Sequence, residues 1–118
     1  MDSSVLEDIK KMLGIQREYT AFDTDIIINI NAVVGTMNQF GIGVDGFYLT
    51  GYEQTWDDLL GEQRLGFQIA KDYVYLKVRL VFDPPASGVV LESYKDLCYD
   101  LECRLKLVYE TSDTGGQS

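Results

Sequence analysis

The chain has no histidine, two cysteines and two prolines in 118 residues. Without histidine the commonest general base and metal ligand is missing. No Ser–His, Cys–His or Glu-x-x-His arrangement can therefore be assembled from it. Cys98 and Cys103 sit on a stretch that reads as helix, where that spacing points them about 140° apart, so they cannot bridge there. They are also too few for a zinc site, and they read as reduced, structural thiols of a cytosolic protein. No run of about 20 apolar residues exists to span a membrane, and the opening MDSSVLEDIKKM has no signal-peptide core.

Positive charge is also missing over a long interval. Between Arg17 and Arg64 there is no base, but there are eight acids: Glu18, Asp23, Asp25, Asp45, Glu53, Asp57, Asp58 and Glu62. Residues 1–17 hold three acids and three bases, and residues 64–110 hold seven of each, so most of the net charge of −9 comes from this segment. Contact binding of nucleic acid needs a basic footprint, which the chain does not have. The asymmetry suits a basic protein partner, a surface that must not adhere to DNA, or plain solubility.

What is present is helical periodicity. The stretch Lys71–Pro85, KDYVYLKVRLVFDPP, carries two apolar stripes: Ile69, Tyr73, Leu76 and Leu80 on one side, and Val74, Val78, Val81 and Phe82 on the other. A helix that is apolar on two sides belongs at the centre of a bundle. YVYLKVRLVF alone also fits a strand, but the pattern starts near Glu62 and runs about 20 residues, beyond ordinary strand length. Pro84 disfavours helix at Asp83 and ends it. Residues 62–82 are therefore predicted as one long helix. Leu91, Tyr94, Leu97, Leu101, Leu105 and Val108, with Cys98 beside them, predict a second over 88–108, capped by Ser87 and antiparallel to the first.

Two shorter helices precede this hairpin. Ser4 with Glu7 forms a capping-box pattern. Val5, Leu6, Ile9, Met12 and Leu13 make an amphipathic face, and Gly14 then Ile15 suit a left-handed stop, giving a helix over about 5–13. Ile26, Ile30, Val33, Met37 and Phe40 predict a helix over 24–40, capped by Asp23 or Thr24; Gly35 within it hints at a close helix–helix contact. Thr55-Trp56-Asp57-Asp58 repeats the capping logic and starts a short helix over 56–60, ending at Gly61. The expected fold class is all-α: a small helical bundle forming one domain over 1–110, with a polar, disordered tail at 111–118.

Residues 41–54, GIGVDGFYLTGYEQ, are the irregular part. Gly41, Gly43, Gly46 and Gly51 supply turns, yet Ile42, Val44, Phe47, Tyr48, Leu49 and Tyr52 are too apolar for an ordinary exposed loop. Either the loop folds back onto the core or it meets another protein; a short strand near 47–50 is an alternative. The loop has neither GxxxxGK[ST] nor GxGxxG between strand and helix, so it is not a phosphate loop. Trp56 covers a core edge or anchors an interface. The neighbouring Asp57 and Asp58 do not converge on one helix face, and capping accounts for them. No catalytic, cofactor or metal residues are assigned. The candidates are interface residues Ile42, Val44, Phe47, Tyr48, Leu49, Tyr52 and Trp56, and the acidic residues Asp45, Glu53, Asp57 and Asp58 facing a partner or a channel.

Four elements in order give the chain a likeness. They are VLEDIKKMLGI, FDTDIIININAVVGTMNQFGIG, the GF-x-x-TG loop with TWDDLL (Gly46, Phe47, Thr50, Gly51, and Thr55 to Leu60), and KDYVYLKVRLVFDPP. Together, across about residues 4–108, they resemble the head–tail connector, or head-completion, proteins of tailed double-stranded DNA bacteriophages. The resemblance implies an adaptor and no enzyme, without cofactor or membrane. It implies self-association as a dodecameric ring beneath the portal protein, with the next connector or tail-completion protein as the other partner. Packaged DNA lies nearby without specific binding. Such a protein resides at the head–tail junction of the virion, and in the host cytoplasm during assembly. The family defines no catalytic residues to carry over. The competing reading is an acidic interaction protein, a DNA mimic or an inhibitor of a basic host protein; the charge-neutral C-terminal half counts against a mimic.

Overall fold

The computed structural model describes residues 3–61 and 66–117, with side chains through residue 109. Among the described residues five helices follow one another: α1 Val5–Met12, α2 Asp23–Gln39, α3 Trp56–Leu60, α4 Phe67–Phe82 and α5 Gly88–Gln117. Among the described residues there is no strand, only an isolated antiparallel bridge between Ser4 and Thr55. The fold is all-α, as the periodicity predicts. No helix among the described residues is long and apolar enough to cross a membrane.

Helix ends follow from local chemistry. Ser4 caps α1 by accepting from the Glu7 amide at 3.2 Å. Half of the expected capping box is realised, because the Glu7 carboxylate turns to Arg17 at 3.3 Å. After α1, Gly14 takes φ +81°, the Gly14 amide donates to the Lys11 carbonyl and the Ile15 amide to that of Lys10, the bonding of a Schellman stop. Thr55 and Asp58 form a complete capping box on α3. At α2 the expectation fails. Its N-cap is Phe22, with no side-chain cap; Asp23 has moved into the first turn, and its carboxylate is engaged by Lys10 at 2.7 Å.

The core is organised around α4, against which α1, α2 and α5 all pack. Tyr73 and Leu76 are buried on one side of it, and Val74 and Val78 on the other. The hairpin with α5 is antiparallel. A Cβ on Gly66 would meet Val108 at 3.0 Å, the Tyr73 hydroxyl donates to Glu102 at 2.8 Å, and the Arg79 guanidinium lies 5.3 Å from the Tyr94 ring centre. Early residues of α4 thus meet late residues of α5. The described part of α4 starts at Phe67, and the portion expected over 62–65 lies outside the described residues. α5 continues past 108; the tail expected at 111–118 falls outside the described side chains.

Val81, Leu97 and Phe40 depart from their expected stripes. Val81 is 70% exposed at the last turn of α4, Leu97 is 46% exposed on α5, whose buried seam is Cys98, Leu101 and Leu105, and Phe40 is exposed just past the end of α2. Gly35 does not mark a helix–helix contact, since nothing lies within 4 Å of a Cβ built there. Cys98 and Cys103 are free thiols, and burial raises the Cys98 pKa further above its ordinary range.

Candidate interaction surface

The loop between α2 and α3 has no regular structure, yet its backbone is held at nearly every turn. The Ile42 amide donates to the Met37 carbonyl at 2.9 Å, and the Asn38 side chain donates to the Ile42 carbonyl at 3.0 Å. Further along, Asn31 makes a two-point clasp on Leu49: its Nδ2 donates to the Leu49 carbonyl at 2.9 Å and its Oδ1 accepts from the Leu49 amide at 2.8 Å. One amide side chain does there what a neighbouring strand does in a sheet, so the apolar run near 47–50 is held without being a strand. Gln54 closes the next turn by accepting from the amides of Thr50 and Gly51. Gly43 is required: its φ is +91° and a Cβ would stand 3.3 Å from the Leu59 carbonyl oxygen.

A second anchor is Lys10, which is fully buried. Its ammonium donates to the carbonyls of Arg17 at 3.0 Å and Tyr19 at 2.7 Å and to the Tyr52 hydroxyl at 2.7 Å, and it pairs with Asp23 at 2.7 Å. The Tyr52 hydroxyl also lies 3.1 Å from Asp23, and the Arg17 guanidinium stacks 4.2 Å from the Tyr52 ring centre. Burial alone would pull the ammonium pKa down, but Asp23 and Tyr52 outweigh it and the pKa is raised. Lys10 thus joins α1, the α1–α2 linker, the start of α2 and the end of the loop.

A third anchor is Asp8. It accepts from the Trp56 indole and from the Ser3 hydroxyl, each at 2.8 Å, and meets Lys71 at 3.4 Å. Burial pushes its carboxyl pKa up; the bonds from Ser3 and Trp56 and the Lys71 charge more than compensate, and the pKa is lowered.

These anchors sort the candidate residues. Ile42, Leu49 and Trp56 are buried in the core of the single chain. Phe47 and Tyr52 pack partly buried against it. Val44, at 41%, and Tyr48, at 67%, are exposed. Asp45 lies between them at the loop tip, and Asp45, Glu53 and Asp58 are exposed while Asp57 is half-buried. Part of the loop therefore folds back onto the core, while its tip is surface. Sequence reasoning missed Lys10, Asp8 and Asn31. The available signal was Lys10 at the rim of the α1 apolar arc, one turn after Leu6. Asn31 gave none, since its partner is the backbone 18 residues away.

Among the described residues no group of three or more His, Cys, Asp or Glu side chains is placed to hold a metal ion. What the geometry defines is a helical scaffold that fixes an irregular, partly apolar, acidic loop in one shape. The family described as phage connector protein matches residues 5–112, and the chain belongs to that family. It is a structural family of phage proteins. No curated protein and no solved structure matches the chain.

Proposed function

We propose that this connector protein is an adaptor of the phage head–tail junction. In this reading it docks as a ring, a dodecamer in the virion, beneath the portal protein. It helps retain the packaged DNA and offers the next connector or tail-completion protein its attachment surface. The observation that carries the reading, beside family membership, is the loop tip. Val44 and Tyr48 are exposed on a backbone fixed by Asn31, Asn38 and Lys10, so a partner would meet a preorganised surface and lose little entropy in ordering it. Asp45 at the tip belongs with the partner-facing part. Glu53, Asp57 and Asp58 are assigned to the channel, where negative charge keeps packaged DNA from adhering.

Electron microscopy of the purified protein at high concentration tests this reading. Closed rings with a central hole support it. If the protein stays monomeric, it should add to portal-bearing, DNA-filled heads; failure to do either overturns the reading in favour of an acidic inhibitor of a basic host protein.

A further inference from the structure

α2 and α4 leave a groove of about 200 Å³ between them, lined by Asn29, Ala32, Val33 and Thr36 from α2 and by Lys77, Leu80 and Val81 from α4. It is smaller than the ~300 Å³ at which small-molecule sites begin and has the scale of a protruding side chain. Its one charge is Lys77, which, like Lys11 and Arg79, has no ion-pair partner among the described residues, whereas Lys71, Lys95, Arg104 and Lys106 each have one. Val81 at the groove rim is 70% exposed.

The loop tip is its complement. Val44 and Tyr48 are apolar and exposed, and Asp45 between them carries the opposite charge to Lys77. The two surfaces cannot meet within one chain. Asn31 and Asn38, which hold the loop, lie roughly 160° around α2 from the residues that line the groove, counting ~100° per residue. Two different complementary patches on opposite sides of a subunit are what a head-to-tail contact requires, and repetition of that contact closes into a ring when the rotation allows. A second apolar groove, lined by Met12, Asp72, Tyr75, Leu76, Tyr94 and Leu97 among others, carries Asp72 and would repel Asp45.

We propose that the groove between α2 and α4 is the receptor for the loop tip of a second copy of this chain, with Tyr48 and Val44 against Leu80 and Val81 and with Asp45 paired to Lys77. The proposal rests on the ring reading above and names its two contact faces. Charge reversal tests it. Asp45→Lys and Lys77→Glu should each weaken self-association about tenfold or more, and the two combined in one chain should restore most of it. Tyr48→Ala, at an exposed position that leaves folding intact, should weaken it comparably. Circular dichroism confirms that each variant folds. In a Cys103→Ser background, Tyr48→Cys with Val81→Cys should give a ladder of disulfide-linked multimers on oxidation. Rings that persist in the folded single variants, or a double variant without recovery, overturn this docking and leave the ring reading standing. Absence of self-association in the unsubstituted protein, both alone and on portal-bearing heads, overturns both.

Discussion

The two halves of the molecule are held together by different means. The α4–α5 hairpin is specified by apolar seams along long helices, with Tyr73, Val74, Leu76 and Val78 of α4 and Cys98, Leu101 and Leu105 of α5 buried in one core. Apart from α2, which packs on α4 by its own apolar stripe, the part before Gly61 is built from short or irregular pieces: α1 has eight residues and α3 has five. Helices so short are not stable alone, and a loop cannot bury a continuous stripe. Here single polar side chains do the fixing: Lys10, Asp8 and Asn31, each bonded to residues distant in sequence. Apolar packing sets where helices lie, whereas directional bonds to backbone groups set the shape of what is not helix.

The sharpest way to break this contrast is Lys10→Met, which keeps the side-chain volume and removes the charge. It strands Asp23 and leaves the carbonyls of Arg17 and Tyr19 without the ammonium. We expect a loss of about 3 kcal/mol, at the low end for a broken buried pair because Asp23 keeps some solvent access; urea unfolding measures it. Asn31→Ala should cost about 2 kcal/mol, since two backbone groups of Leu49 lose their partner. Hydrogen exchange should show the loss of protection confined to the loop. A loss spread evenly over all helices would mean that the loop has no separate anchoring.

In the hairpin, the corresponding polar deletion should matter less. Tyr73→Phe removes the bond to Glu102, but Lys106 still pairs with that carboxylate at 3.3 Å, so the expected cost is about 1 kcal/mol. The pH dependence has a definite sign. Burial and then the neighbouring Glu102 raise the Tyr73 pKa above its ordinary 10.0, so its contribution is complete below pH 10 and declines as pH rises through the folded value. Unfolding midpoints between pH 8 and 11 should fall less steeply for Tyr73→Phe. Asp8 in the other half has the opposite sense: its pKa lies below the ordinary 3.8, so its contribution is complete above that value and is lost as pH falls through the folded one. Asp8→Asn should flatten the acid limb. The smallest effect is a gain: Gly35→Ala should stabilise α2 by about 0.5–1 kcal/mol, because a Cβ there meets nothing within 4 Å.

The same contrast explains what could be read in advance. The hairpin was legible because its determinants repeat: apolar residues every three or four positions name both the helix and its buried face. Capping at Ser4 and Thr55 and the stop at Gly14 were legible because the partners lie within five residues. The loop was legible only as a paradox, too apolar for a surface and too rich in glycine for an element. Its resolution depends on Asn31, an ordinary polar residue on a helix, whose clasp spans 18 positions. Val81 and Leu97 misled because the period that marks a stripe does not say how far around the helix its neighbours cover it.

The Lys10 cluster also governs how this half of the molecule comes apart. One ammonium closes the α1–α2 linker, through the carbonyls of Arg17 and Tyr19, and the end of the loop, through Tyr52. Neither segment can swing away without breaking bonds to the same nitrogen. Their excursions from the native state are therefore coupled into a single local unfolding event. Amides in the linker and around Tyr52, though more than 30 residues apart, should exchange with solvent at one common opening free energy.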